Sequence, residues 1–190
     1  MTNAIRALRR LRLISGIKQS HLAELLSVTQ ATVSRWERGQ QHPSPDQEQA
    51  LLRLLTAPRK PGQDAALRRL VESSSRPVHL ICDLSHRLLA ASPARTAGWR
   101  LPACEFEGRS LWPYATEEIR AAEARLDALG WDEPAAPVVA FLTGGNYEQA
   151  VPILPGWVIW ERIRLDDGTP ARLVTTPAEG ETPPEGAAII

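Results

Sequence analysis

Apolar residues in the first 56 positions recur at helical spacing. Ile5, Leu8, Leu11 and Leu13 make one short face, which Ser15-Gly16 ends. Leu22, Ala23, Leu25 and Leu26 make a second, and Val33 and Trp36 continue it after a break at Ser27-Val28. Gly39 suits a left-handed helix stop before the loop QQHPSP, and Pro45 suits the first position of another helix, carrying Leu51, Leu52, Leu54 and Leu55. Residues 1–56 therefore read as four helices, with no room for strands. TAPRKPGQD (56–64) has the prolines, glycine and mixed charge of a linker. AALRRLVE (65–72) is a short helix that SSSRP (73–77) breaks, so 57–77 is expected to be a linker with one helix.

From residue 78 the period shifts towards strands. VHLICD (78–83) and RLLAAS (87–92) flank a tight DLSH turn, and TEEIRAAEARLDALG (116–130) is a helix with Thr116 as N-cap and Gly130 at its end. VVAFLT (138–143), GWVIWERIRL (156–165) and ARLVTT (171–176) are rich in β-branched and aromatic residues, and DDG (166–168) joins the last two as a hairpin. The fold class expected is therefore two domains: an all-α N-terminal domain and an α+β C-terminal domain (78–176) with an antiparallel sheet. The tail 177–190, rich in Pro, Gly and Glu, is expected to be disordered. There is no internal repeat.

Charge sharpens the division. The chain is formally neutral, yet residues 1–60 hold ten Lys/Arg against four acids, a net +6, and the remainder carries −6. A basic front end points to a polyanion partner. Cys82 and Cys104 lack any metal-ligand spacing and read as reduced structural thiols, so no metal site is expected. The Arg-rich start is better explained as the first helix of the domain than as a transit peptide. With no apolar run near the length of a membrane span, a soluble, cytoplasmic protein is expected.

In residues 19–39, Ala23 is the small residue that two tightly crossing helices need. Leu22, Leu26, Val28, Val33 and Trp36 face the helical core, and Thr29 stands where an N-cap hydroxyl would start the next helix. Gln30, Ala31, Ser34, Arg35 and Arg38 are left on one outward face, slim and tipped with donors and acceptors, as a helix in a DNA major groove must be. Gln30 can pair with adenine and Arg35 with guanine, each bidentate contact being worth roughly 1–3 kcal/mol, while Ala31 and the Thr32 methyl can touch a thymine methyl.

These residues resemble the Cro/C1-type (XRE family) helix-turn-helix domain of phage repressors and bacterial regulators. Arg12, Gln19, Leu22-Ala23, Val33-Ser34 and Glu37-Arg38-Gly39 followed by a proline carry the resemblance over residues 5–56. It implies that Gln19 contacts a phosphate and buttresses Gln30, and that Arg12 forms a structural ion pair with Glu37. It also places Thr29, Arg38 and His42 along the DNA backbone. Ser27 occupies the turn position where the family prefers glycine. The alternative is a helical bundle that binds protein.

The second half resembles a PAS sensory domain in ICDLSHRLLAASPARTAGW (81–99), EGRSLWPY (107–114) and IRLDDGTPARLVTT (163–176). Asp83 and Pro93-Ala94 agree with that family's pattern, whereas His86 and Ser92 replace its common glycine and asparagine. Another small α+β dimerisation or ligand-binding domain is the alternative. No cysteine has the setting of a flavin photoreceptor, and His79 and His86 are the haem-ligand candidates, more simply read as satisfied or exposed. No cofactor is assigned. Trp157 and Trp160 fall on opposite faces of one strand, one for the core and one for a partner. The acids of TEEIRAAEARLD have the look of a solvated helix face, and GGN (144–146) that of a loop. The chain contains no catalytic motif, so no enzyme is expected.

The expected function is a dimeric, sequence-specific transcription regulator, a repressor by preference. It would read double-stranded DNA at a palindromic operator, because one recognition helix covers too few base pairs for specificity. AALRRLVE and an exposed face of the C-terminal sheet are the expected dimer surfaces. Two alternatives remain: an antitoxin or partner-controlled repressor whose C-terminal half binds another protein, and a ligand- or cofactor-regulated sensor.

Overall fold

The computed structural model describes residues 3–14, 17–56, 64–165, 168–178 and 180–190. Ser15-Gly16, most of the linker (57–63) and the aspartates of the 166–168 turn lie outside the described residues, as do the side chains of Leu11, Leu52, Leu54 and Leu55. The chain divides into two compact units, the first Met1–Lys60 with Asp132–Pro134, the second the remainder.

The first unit consists of α1 (Asn3–Ile14), α2 (Gln19–Leu25), α3 (Gln30–Glu37) and α4 (Pro45–Thr56). Ile5, Leu8, Leu22, Ala23, Val33, Trp36 and Leu51 form its core, with Leu26 and Val28 packed against it. Ala23 occupies the buried small-residue position expected of it, whereas Leu25, expected on the apolar face, is exposed. Leu25 falls on the last turn of a seven-residue helix, turned away from α1 and α3, and the shorter apolar set Leu22-Ala23-Leu26 suffices.

Two helix ends use the same stop. After α3, Gly39 has φ 70° and donates to the Trp36 carbonyl while Gln40 donates to Arg35. After α2, Ser27 has φ 53° and donates to Glu24 while Val28 donates to Ala23. Both are Schellman closures, which want a left-handed residue after the C-cap. Glycine meets that demand without strain, and Ser27 meets it at a cost of about 1–2 kcal/mol.

The second unit contains α5 (Ala65–Glu72), β1 (Val78–Cys82), β2 (Leu88–Ala91), α6 (Pro93–Thr96), α7 (Glu117–Arg125), β3 (Val139–Thr143), β4 (Gly156–Arg164), β5 (Pro170–Thr175) and β6 (Ala188–Ile189). One sheet runs β2-β1-β5-β4-β3-β6. Its first five strands pair antiparallel, but β6 pairs parallel to β3, so the sheet is mixed rather than antiparallel. The same pairing corrects the expected disorder of residues 177–190. β3 would otherwise present an unpaired edge, and the apolar AII terminus supplies it with partners, Ala188 donating to Val138 and Ile190 to Ala140. Glu181 further ties the tail to Arg76 through two 2.9 Å bonds.

The sheet is packed on both faces. On one, α5 sets Val71 and Leu67 against Val78, Leu80 and Ala171. AALRRLVE is therefore part of the sheet domain rather than a linker helix, and most of its apolar face is used up there; Leu70 stays exposed. On the other face, Ile81, Phe141, Val158, Trp160 and Val174 meet Ala122 and Leu126 at α7. Trp160 is in that core and Trp157, on the opposite face, is half-buried. Thr116 and Ser92 cap α7 and α6, accepting from Ile119 and Arg95. No helix among the described residues is long and apolar enough to cross a membrane.

Replacing Ser27 by glycine removes the left-handed strain, and a stabilisation of about 1 kcal/mol is expected in the first unit. Thermal or urea unfolding of S27G against wild type measures it; no gain would mean that the strain is relieved elsewhere.

Candidate nucleic-acid interface and sheet-domain cavity

A hydrogen-bond chain runs from α1 to the outer face of α3. Arg12 Nε and Nη2 donate to the two Glu37 oxygens at 2.7 and 2.9 Å, and Arg12 Nη1 donates to the Ile17 carbonyl. Gln19 Nε2 donates to Glu37 Oε2 at 2.7 Å, and Gln30 Nε2 donates to Gln19 Oε1 at 2.8 Å. The polarity of this chain is forced. Arginine can only donate and an ionised glutamate can only accept, so Gln19 must turn its amide nitrogen to Glu37 and its oxygen to Gln30. Gln30 must then donate, which leaves its oxygen and its second N–H for the acceptor–donor edge of adenine.

The remaining residues read from the sequence lie around Gln30. Ala31 and Arg35 are exposed on α3, and Thr32 and Ser34 are half-buried. Thr29 caps α3, its hydroxyl accepting from the Thr32 amide and lying 2.8 Å from the Thr32 hydroxyl. Arg38 donates Nε to the Ser34 carbonyl, and His42 is exposed on the loop beyond Gly39. Gln30, Ala31, Ser34, Arg35 and Arg38 thus share one side of α3, away from the buried Val33 and Trp36.

In the second unit the structure brings together groups that the sequence left apart. Arg172, wholly buried, donates to Asp83 Oδ1 at 2.7 Å and Glu123 Oε2 at 2.8 Å, and its guanidinium lies 4.3 Å from the Trp160 ring centroid. Burial alone would lower the Arg172 pKa, but Asp83 and Glu123 outweigh it and hold the value above the ordinary one. Asp83 also accepts from the Trp131 indole at 3.0 Å. Glu123 corrects the solvated reading of the acids in α7: it is 1 % exposed. Its place beside Ile119, Ala122 and Leu126 at helical spacing was the available clue. His86, expected simply in a turn, is buried at φ 56° and stacked on Trp112 at 4.5 Å, with Nε2 3.5 Å from Glu123.

Between the inner face of the sheet and its covering helices lies a cavity of about 100 Å³ lined by His79, Arg95, Trp99, Trp160 and Val174 among others. Asn146 of the GGN loop holds one wall, donating to the Tyr114 and Val151 carbonyls and accepting from Ile153. His79 Nδ1 and Arg95 Nε are both buried without a hydrogen-bond partner. Burial, and then the nearby Arg95 charge, hold the His79 pKa well below its ordinary value, and burial lowers that of Arg95 to about 10. Among the described residues, no cluster of three His, Cys, Asp or Glu could hold a metal ion.

With this geometry in view, the class of the first unit follows. The family model described as a helix-turn-helix domain matches residues 6–61, and this part of the chain is a helix-turn-helix domain. No curated protein matches the chain. Among solved structures, the PAS domain of an HTR-like protein from Haloarcula marismortui is similar at 15% identity, over 60% of this chain and 89% of that one, with a TM-score of 0.43.

Glu37→Ala leaves the Arg12 guanidinium and the Gln19 amide without their acceptor, and a loss of about 3 kcal/mol is expected in unfolding of the first unit. Glu37→Gln keeps the volume but breaks the forced polarity, and is expected to lower DNA affinity more than its stability change explains. For His79 the folded pKa is depressed, so the neutral form is the one accommodated. Stability is full above the unfolded pKa near 6.5 and falls as pH drops below it, by up to about 1.4 kcal/mol per pH unit. The His79→Phe variant is expected to flatten that part of the profile between pH 7 and 5 in urea titrations.

Proposed function

We propose that the protein is a sequence-specific DNA-binding transcription regulator of the Cro/C1 type, a repressor by preference, that reads its operator with α3. The observation carrying this is the polarised chain Arg12–Glu37–Gln19–Gln30, which presents Gln30 in one orientation beside exposed Ala31 and Arg35. A helix N-terminal region with pre-oriented bidentate side chains is what major-groove readout requires. The excess of basic residues in 1–60 supplies the salt-dependent, sequence-independent part of the affinity. In this reading Gln30, Ala31, Thr32, Ser34 and Arg35 face base edges, while Gln19, Thr29, Arg38 and His42 lie along phosphates.

The second unit serves as a PAS-like dimerising and sensing domain, and the protein acts in the cytoplasm by binding rather than by catalysis. Dimerisation places two α3 helices about 34 Å apart and calls for an operator of inverted half-sites. The half-buried Trp157, its cross-strand neighbour Leu142, which is exposed, and Leu70 of α5 are among the apolar side chains available for a second copy.

Selection from a randomised DNA pool, followed by titration at several salt concentrations, tests the reading. Arg35→Ala is expected to cost about 1–3 kcal/mol on the selected site and to relax preference at one base pair per half-site. Arg38→Ala is expected to weaken all sequences alike and to reduce the salt slope by about 1. Recovery of no common sequence would refute sequence-specific recognition, and a selected site without inverted symmetry would refute the dimer.

A further inference from the structure

Two arginines of the sheet domain, Arg172 wholly buried and Arg95 half-buried, have different electrostatic surroundings. Arg172 is paired with two carboxylates, Asp83 and Glu123, more than its one charge requires. Arg95 has neither acid nor any other counter-charge among the described residues: its Nη2 donates to the Pro77 carbonyl at 3.2 Å and to the Thr176 hydroxyl at 2.6 Å. Both acceptors are neutral. Its Nε–H is buried and makes no bond, and the same is true of Nδ1 of His79. Native proteins rarely leave such groups unsatisfied, because each costs free energy that nothing in the fold returns. Here both side chains line one cavity.

Most of the remaining lining is apolar, although Arg172 and His86, both beside Glu123, and Tyr114 also reach the cavity. Trp99, Trp160, Val151, Val158 and Val174 line it together with the Ile119 side chain of α7. Arg95 and His79 therefore make a polar end with a positive charge and two nitrogens without partners, and the Trp and Val walls offer hydrocarbon. A carboxylate matches the polar end: one oxygen accepts from Arg95 Nε–H, the other from His79 Nδ1–H, and a single negative charge balances a single guanidinium. A dianion would exceed the charge available. Size sets the remainder of the ligand. A cavity of about 150 Å³ takes benzene, so one of about 100 Å³ suits an organic molecule of about four to six non-hydrogen atoms. A porphyrin, a flavin or a long acyl chain is far larger.

We propose that this cavity binds a short-chain aliphatic monocarboxylate, held by Arg95 and His79 with its alkyl group against Trp99, Trp160 and Val174. The proposal rests on the sensing role given above to the second unit and names its ligand class. It does not depend on how α3 meets DNA.

Isothermal calorimetry and thermal unfolding of the full chain, with butyrate, isobutyrate, hexanoate, isobutyramide and inorganic phosphate as probes, test it. Butyrate or isobutyrate is expected to bind and to raise the unfolding temperature, whereas isobutyramide, equal in shape but uncharged, is expected to bind at least about tenfold more weakly. Arg95→Met removes the half-buried charge that lacks a counter-charge, so the ligand-free variant is expected to be no less stable than wild type yet to lose carboxylate binding. A positioning role for Arg95 in the fold alone would instead destabilise the variant and leave binding intact, and would overturn the proposal. Equal binding of acid and amide, preference for phosphate or hexanoate, or no response to either short acid up to roughly 10 mM, where even a millimolar site would be saturated, would also overturn it. If Arg95→Met does not fold, the acid–amide comparison on the wild-type chain decides. None of these results bears on operator selection, so the failure of one reading leaves the other standing.

Discussion

The Arg12–Glu37 ion pair determines what the outer face of α3 can offer. Its hydrogen bonds are short and two-pronged, and Glu37 is buried. Because one partner can only donate and the other can only accept, the pair imposes a direction on every amide linked to it. Gln19 inherits that direction and passes it to Gln30, so a side chain at the surface is oriented by a charge beneath it. Thr29, Ala23 and the two Schellman closures hold the helices at the spacing that lets this chain of bonds close. A surface glutamine without such backing samples many rotamers, and ordering it on binding costs conformational entropy.

In the sheet domain the comparison between Arg172 and Arg95 separates architecture from binding capacity. Arg172 joins β5 to the turn after β1 through Asp83 and to α7 through Glu123, with Trp131 and Trp160 stacked about its guanidinium. Removing any one member leaves the others charged and dry, so the cluster locks helix to sheet. Arg95 is half-buried, with its Nε enclosed, and has none of the compensation. A fold that supplies two acids to one arginine and none to the next is arranged differently around the two. The surroundings of Arg95, with His79 alongside and aromatic walls opposite, are those of a polar anchor in an apolar pocket.

Much of the first unit was legible in the chain. Ala23, the Val33/Trp36 spacing, the Thr29 cap and Gly39 are local features, each tied to a helix face or a helix end that periodicity reveals. The outward set on α3 followed from the same periodicity once the buried set was assigned. Leu25 was misplaced because a helix of two turns has too few positions to define its stripe sharply. In the second unit the strands, the α7 cap and the tight turn after β1 were legible for the same reason. The parallel pairing of β6 was not: AII carries no alternation, and it becomes a strand only because β3 has an open edge.

The amino-acid order by itself therefore determined most of the elements, the two-part division and the side of α3 that faces outward, since these depend on spacing along a few turns or strand residues. Only the tertiary structure decided which charges are buried and which of those are paired. Glu123 reads as one more solvated acid until Arg172, 49 residues away, is brought against it. Nothing in the sequence connects Arg95 with His79 until the sheet and α6 place them at one cavity. Burial and pairing depend on distant segments meeting, and nothing in the neighbourhood of either residue records which partner the fold will supply.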